Sequence, residues 1–298
     1  MDPPRPSRLL LDSPSLVYRA FFAVPKSITD PAGNAVNAVR GYLDMLARLL
    51  TDHRPGGVLN VLDNDWRPKW RVDAWPGYKA TRAPDPPELP GQFTILRAVL
   101  GAAGLPVAEA PGTEADDVLG TVAMAAGDDE RLAVVTGDRD LLQLVRDPVV
   151  WVLFPVKGTS QMVRFDEAEV VRRHGVAPAR YADYAILRGD PSDGLPGLPG
   201  VGPKTAAKLV AEFGGLDDVL AARDRLPPRV AAALDASEDY LAAMRKVVPL
   251  PRDVAWTASD AHEPDRDALA ALAEKHATGG PVERLVAAME AACLAAPA

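Results

Sequence analysis

Three short apolar runs punctuate the first half of the chain, and each ends in an aspartate. Arg8-Leu9-Leu10-Leu11 leads to Asp12, Val58-Leu59-Asn60-Val61-Leu62 to Asp63, and Leu132-Ala133-Val134-Val135-Thr136-Gly137 to Asp138. Runs this short and this apolar predict strands. Between them the apolar positions change to helical spacing: Val36, Val39, Leu43, Leu46 and Leu50 in one segment, Phe93, Leu96 and Leu100 in another. Strands alternating with helices predict a mostly parallel sheet with helices on both faces. In such sheets the carboxyl ends of the strands frame the ligand crevice, so the pattern alone brings three aspartates to one place.

After about residue 172 helical texture dominates, as in 177–188 and 204–213, with a Gly/Pro-rich turn at 194–203 between them. The Ala-rich last 80 or so residues read as helical. The runs 25–33 and 84–90 read as loops. The expected organisation is an α/β domain over 1–172 and a helical region over 173–298. No internal repeat is visible.

Composition changes this picture little. The 298 residues are 48% hydrophobic and 25% charged, as in ordinary globular proteins. No apolar run reaches the roughly 18 residues a membrane helix needs. The first residues are polar and Pro-rich, with no apolar stretch like a signal peptide's. Cys293 is the single cysteine, so no disulfide forms within the chain, and a reducing cytoplasm is the expected compartment. The net charge of −8 argues against nucleic acid, unless the acids are gathered in one place and the bases in another.

They are so gathered. Glu114-Ala115-Asp116-Asp117 follows Thr113, a fitting N-cap, which places three carboxylates in a first helical turn. Acids there also complement the helix dipole, so this cluster alone decides nothing. Asp138-Arg139-Asp140 and Asp190-Pro191-Ser192-Asp193 add two close pairs, each unremarkable as a polar turn. Taken together, nine carboxylates fall at strand ends, one helix start and one turn. Hard divalent cations, Mg²⁺ or Mn²⁺, suit such oxygen donors, and no Cys/His cluster competes for zinc. Two such ions about 4 Å apart suit in-line hydrolysis of a phosphodiester.

From Trp66 to Arg82 the bases Arg67, Lys69, Arg71, Lys79 and Arg82 interleave with Trp66, Trp70, Trp75 and Tyr78. Bases of this kind pair with phosphates and such rings stack on unpaired nucleobases; the plainer alternative is a solvated face with core tryptophans. The turn Leu198-Pro199-Gly200-Val201-Gly202-Pro203-Lys204 is not a P-loop, because Pro203 separates glycine from lysine and no strand precedes it. A glycine turn opening a helix can instead offer backbone N–H groups to a DNA phosphate, with Lys204 and Lys208 on one helical face.

These pieces together resemble the 5′-nuclease family, in particular the 5′→3′ exonuclease domain of bacterial DNA polymerase I. The resemblance rests on Leu11-Asp12 with Tyr18-Arg19-Ala20-Phe21, Asp63, Arg71, Gly77-Tyr78-Lys79-Ala80-Thr81-Arg82, Glu114-Ala115-Asp116-Asp117, Thr136-Gly137-Asp138-Arg139-Asp140, Gly189-Asp190-Pro191-Ser192-Asp193 and Gly200-Val201-Gly202-Pro203-Lys204-Thr205-Ala206, over residues 8 to 220. It implies a PIN-like 5′-nuclease fold, a mostly parallel sheet flanked by helices, with a helical arch at about 64–90 and a helix–three-turn–helix unit. It implies a first metal site built or supported by Asp12, Asp63, Glu114, Asp116 and Asp117, and a second from Asp138, Asp140, Asp190 and Asp193. Lys79 and Arg82 would meet the scissile phosphate, Tyr78 would stack near the reacting nucleotide, and Arg71 would belong to the DNA-contacting set. Gly200, Gly202, Lys204 and Lys208 would grip duplex DNA, with K⁺ on the backbone carbonyls of Leu198 and Val201.

The sequence departs from the family pattern at Ser13 and Gly194, where Gly and Asn are usual, and Asn64-Asp65 adds an acid beside Asp63. No metal ligand is lost, so an active, stand-alone, monomeric enzyme is expected. It would act on 5′ flaps and on nicked or 5′-ended duplexes in replication and repair, alongside a polymerase and a ligase. Two alternatives are a PIN-type ribonuclease, typically shorter and without the glycine-turn unit, and a non-catalytic branched-DNA binder, which predicts missing ligands.

Overall fold

The computed structural model describes residues 5–157 and 161–294. Its sheet has seven strands: β1 (Arg8–Asp12), β2 (Val58–Val61), β3 (Val107–Glu109), β4 (Leu132–Val135), β5 (Val150–Lys157), β6 (Gln161–Phe165) and β7 (Thr257–Ala258). Their order is β6-β5-β4-β1-β2-β3-β7, parallel except for the antiparallel edges β6 and β7. Leu10 stands level with Leu59 on one side and Val134 on the other, so the three expected strands are adjacent and in step. Asp12 is the last residue of β1, and Asp63 and Asp138 lie just past the ends of β2 and β4. The sheet therefore delivers all three aspartates to one rim.

Alternation along the strands buries both faces. Leu10, Leu59, Val61 and Val134 face one core; Leu9, Leu11, Val58, Ala133 and Val135 face the other. The second core is closed by α1 (Ser13–Ala23), α2 (Asn37–His53) and the C-terminal helices. Next along the chain come α3 (Lys69–Ala74), α4 (Leu89–Ala102), α5 (Ala115–Ala125), α6 (Glu167–His174), α7 (Tyr181–Arg188) and α8 (Pro203–Phe213). The helical remainder is α9 (Leu216–Ala221), α10 (Pro228–Asp235), α11 (Glu238–Val247), α12 (Arg266–Lys275) and α13 (Gly279–Ala292). Fully burying each leucine of these cores contributes about 1.5–3 kcal/mol.

Several expectations need correction. The C-terminal segment is not only helical: β7 extends the sheet by pairing with β3, and Leu285 of α13 is buried in the α2 core. Residues after 221 thus pack back on the α/β domain. Pro90 lies inside α4 and not in a loop. The segment 64–90 holds one six-residue helix, α3, then turns, a proline-rich stretch and the first residues of α4, so little of the expected arch is helical. The N-cap of α5 is Glu114 and not Thr113, whose hydroxyl donates to the Ala110 carbonyl at 2.9 Å. Among the described residues, no helix is long and apolar enough to cross a membrane.

Candidate active site

An open cleft runs over the carboxyl ends of β1, β2 and β4. Of the nine expected acids, Asp12, Asp63, Glu114, Asp116, Asp138 and Asp190 line it; Asp117, Asp140 and Asp193 do not. Local bonds aim the strand-end carboxylates. Asp12 accepts from the Thr136 hydroxyl at 2.5 Å and from the Ser15 amide at 3.2 Å, which ties β1 to the end of β4. Asp63 accepts from the Ala115 amide at 2.7 Å, at the open N-terminus of α5. Asp138 accepts from the Asp140 amide at 2.8 Å.

These acids are short of positive partners. Burial, with the charges of Asp138 and Asp63 nearby, pushes the Asp12 carboxyl up to about 7 against the Thr136 hydrogen bond. Burial and neighbouring Asp116 push Asp63 up to about 6. Asp140 is raised well above the usual carboxylate range by loss of water and by Asp138, Asp190 and Asp193. Asp116 Oδ1 and Asp140 Oδ1 are buried without any hydrogen-bond partner, and Asp116 Oδ1 has only the Arg71 guanidinium at 3.7 Å. Oxygen donors that crowd, repel and go unsatisfied are the donor set a hard divalent cation relieves. Among the described residues, no three His, Cys, Asp or Glu side chains already stand as a ready-made ion cage.

The remaining acids are paired, and they account for the bases. Arg71 is 1% exposed. Its guanidinium donates to Glu114 at 2.6 Å, to both oxygens of Asp117 at 2.6 and 3.1 Å, and to the Val247 carbonyl of α11 at 3.3 Å. Tyr78 is 4% exposed and donates its hydroxyl to Glu114 at 2.6 Å. Neither side chain is presented to a DNA strand. The stacking expected of Tyr78 and the DNA contact expected of Arg71 give way to a buried network under the cleft floor. Arg67 likewise donates to the Tyr78 and Pro76 carbonyls, at 2.7 and 3.0 Å, and Lys69 pairs with Asp73 on the exposed face of α3. Trp66 keeps half its surface exposed and lines the cleft, as stacking would require.

Lys79 and Arg82 do line the cleft, each held on an acid: Lys79 on Glu114 and Arg82 on Asp193. Lys79 has φ of 50°, a conformation costly for a side chain-bearing residue. Its amide donates to the Asp193 carbonyl at 2.8 Å, and the Trp75 indole donates to the Gly194 carbonyl at 3.0 Å. These contacts explain Gly194: φ is 72°, and a Cβ there would fall on the Gly77 carbonyl oxygen, so the usual Asn would not fit. Ser13, the other departure, is buried and shares a 2.8 Å hydrogen bond with the Tyr42 hydroxyl.

The glycine turn lies between α7 and α8. Gly200 has φ of 74°, with the Arg229 guanidinium where a Cβ would be. Lys204 and Lys208 are exposed on α8. The Leu198 carbonyl accepts from the Val201 amide at 3.0 Å, closing the turn. Arg19 and Arg188 are among the cleft residues that had no assigned role from sequence. Arg19 lies over Phe154, 5.5 Å from its ring centre, and Arg188 stands beside Asp190. Arg188 directly precedes the Gly189-Asp190 pair, a spacing that could have pointed to it.

Comparison with known proteins gives the family of the chain. Residues 7–175 match the family described as 5′–3′ exonuclease, N-terminal resolvase-like domain, and residues 176–267 match 5′–3′ exonuclease, C-terminal SAM fold. A 5′–3′ exonuclease of Streptomyces coelicolor is 47% identical, across 95% of this chain and all of the relative. DNA polymerase I of Mycobacterium bovis is 44% identical across 85% of this chain, which spans 28% of that longer protein. In fold, the chain matches the bacteriophage T5 flap endonuclease, solved with DNA and metal ions, with TM-score 0.66 and 20% identity over 95% of this chain and 99% of that one.

Proposed function

Because the chain belongs to the 5′–3′ exonuclease family, and so is a nuclease, we propose that it hydrolyses DNA phosphodiesters at 5′ flaps and 5′ ends with divalent metal ions in the acidic cleft. One observation carries this reading: three adjacent parallel strands bring Asp12, Asp63 and Asp138 to one rim, beside Asp116 and Asp140 oxygens that are buried without a hydrogen bond. Mg²⁺ or Mn²⁺ is the class of ion that fits. Asp12, Asp63, Glu114 and Asp116 would hold or support one ion, with Asp117 behind them; Asp138, Asp140, Asp190 and Asp193 would hold a second. Ions held there would supply a more acidic bound water and positive charge opposite the reacting phosphodiester oxygens.

The chain's own residues supply the rest. Lys79 and Arg82, released from Glu114 and Asp193, would meet the scissile phosphate as its charge develops. Trp66 offers an exposed ring at the cleft to an unpaired base. Gly200, Gly202, Lys204 and Lys208 would grip the duplex, and the Leu198 and Val201 carbonyls would hold K⁺ there. Removing a flap leaves a nick, a substrate for a ligase once a polymerase has filled any gap.

The test is cleavage of a 5′-end-labelled flap in Mg²⁺, in Mn²⁺ and in excess EDTA. The expected result is metal-dependent release of short flap-length products. Cleavage by pure protein that survives the chelator overturns the metal reading, and cutting confined to RNA overturns the substrate.

A further inference from the structure

Lys79 and Arg82 are each held on an acid, whereas Arg188 is held by an aromatic ring and a backbone carbonyl. Its side chain is 15% exposed, its guanidinium lies over the Tyr184 ring at 5.2 Å, and its Nε donates to the Gly189 carbonyl at 3.0 Å. Its Nη2 stands 3.8 Å from Asp190 Oδ2, close enough for charge to act but too far for a hydrogen bond. Asp190 instead accepts on Oδ1 from the Ser192 amide and hydroxyl, at 2.9 and 2.6 Å. Asp140 Oδ1 remains buried and unpartnered in the same acidic group.

We infer that Arg188 is a fixed positive charge that sets how tightly the second ion is held, a positioning residue acting through Asp190. The inference rests on the proposed metal reading of the cleft. A charge packed this way does two opposed things. It offsets the charge of Asp190, and through it the crowding of the neighbouring acids, before any ion arrives. It also repels the arriving dication, so affinity at this site is held below what the carboxylates alone would give. The guanidinium is largely covered and anchored by the helix end, so a passing DNA strand is the less favoured partner.

The experiment is a Mn²⁺ titration of the full-length protein without DNA, read by electron paramagnetic resonance of free Mn²⁺, with thermal melts in EDTA and in saturating Mn²⁺. Arg188→Met keeps an unbranched apolar stem but removes the charge together with the guanidinium over Tyr184. The weaker-bound ion is expected to bind about tenfold more tightly. The melting temperature in EDTA falls, and the gap between loaded and metal-free melts widens. Arg188→Lys keeps both values near those of the parent. Arg188→Gln, a second neutral variant, is read the same way should the methionine variant not fold.

Unchanged or weaker Mn²⁺ affinity in both neutral variants overturns the inference and leaves the metal reading standing. Equal losses of melting temperature with and without Mn²⁺, at constant affinity, mark a purely structural arginine and overturn it too. DNA affinity in EDTA that falls in both neutral variants while Mn²⁺ affinity is constant makes Arg188 a strand contact instead. No saturable Mn²⁺ binding by the parent overturns the metal reading and this inference together.

Discussion

Two sets of carboxylates meet at this cleft, and they have opposite electrostatics. Glu114 and Asp117, at the start of α5, are 4% and 0% exposed and engaged by Arg71, Tyr78 and Lys79. Asp12, Asp63 and Asp138, at the strand ends, have no salt bridge to any base among the described residues. Both sets belong to one motif pattern in sequence, yet the first is a closed network and the second an open one. A closed buried network is held by its own partners, and breaking it leaves an uncompensated charge. An open one lowers its energy only when protons or cations arrive. The comparison therefore divides the acids by what their loss should harm first, folding for the first set, although Glu114 also lines the cleft, and chemistry for the second.

The largest expected effect tests the closed set. Arg71→Met removes the shared partner of Glu114 and Asp117 and the tie to the Val247 carbonyl. Loss of one member of a buried pair costs about 3–5 kcal/mol, so a large drop in denaturant midpoint is expected. A loss below about 1 kcal/mol would place Arg71 among surface ion pairs and break the distinction.

Asp138→Asn tests the open set. The amide has the same shape but less charge for an ion, and losing a transition-state charge partner costs about 10²-fold or more in rate. Stability should hold or rise without metal, because the substitution removes repulsion from Asp12. The sign follows from the raised acids. Asp12 at about 7 and Asp63 at about 6 hold protons in the folded state that the unfolded chain, near 3.8, gives up. Metal-free stability is thus fullest below pH 4 as far as these groups act, and falls as pH rises from about 4 to 7. Melts in EDTA across that range check it, and an increase in Asp12- and Asp63-linked stability with pH would contradict the open reading.

How much of this was legible beforehand follows the physics of each signal. Strands β1, β2 and β4 were readable because each buries a run of apolar residues on both faces, and the aspartate ending each run marks the rim. The two-residue β7 and the edge strand β6, whose residues are mostly partly exposed, carry no such run. Arg71 and Tyr78 read as a basic-aromatic surface because local composition does not reveal burial. What buries Arg71 is Glu114, 43 residues away, Asp117, and the carbonyl of Val247, 176 residues away. The short α3 gives no periodicity from which an inward face could be told.

Lys79 stands between the two sets, paired with Glu114 but lining the cleft. Lys79→Ala should slow single-turnover cleavage in Mg²⁺ by about tenfold or more while DNA affinity in Ca²⁺ changes little, as for a contact made mainly in the transition state. Affinity falling as far as the rate would make it an ordinary electrostatic contact. A stability loss rivalling that of Arg71→Met would move it into the closed network.

The smallest expected effect belongs to an acid in neither set. Asp65 lies two residues past Asp63, so a rule that counts charges near the site would give it weight. It does not line the cleft. Its carboxylate accepts from the Arg67 amide at 3.0 Å, and its own amide donates to the Thr113 carbonyl at 3.0 Å, which makes it a turn residue. Asparagine forms the same kind of turn through its side-chain oxygen. Asp65→Asn should therefore leave the cleavage rate within about twofold and stability within about 0.5 kcal/mol, the usual range for a substitution away from special features. Rate and melting temperature measured beside Asp138→Asn give the contrast directly, since both variants remove one negative charge from the same end of the sheet. A tenfold rate loss in Asp65→Asn would mean that total charge governs the cleft, and that the partner of each carboxylate does not.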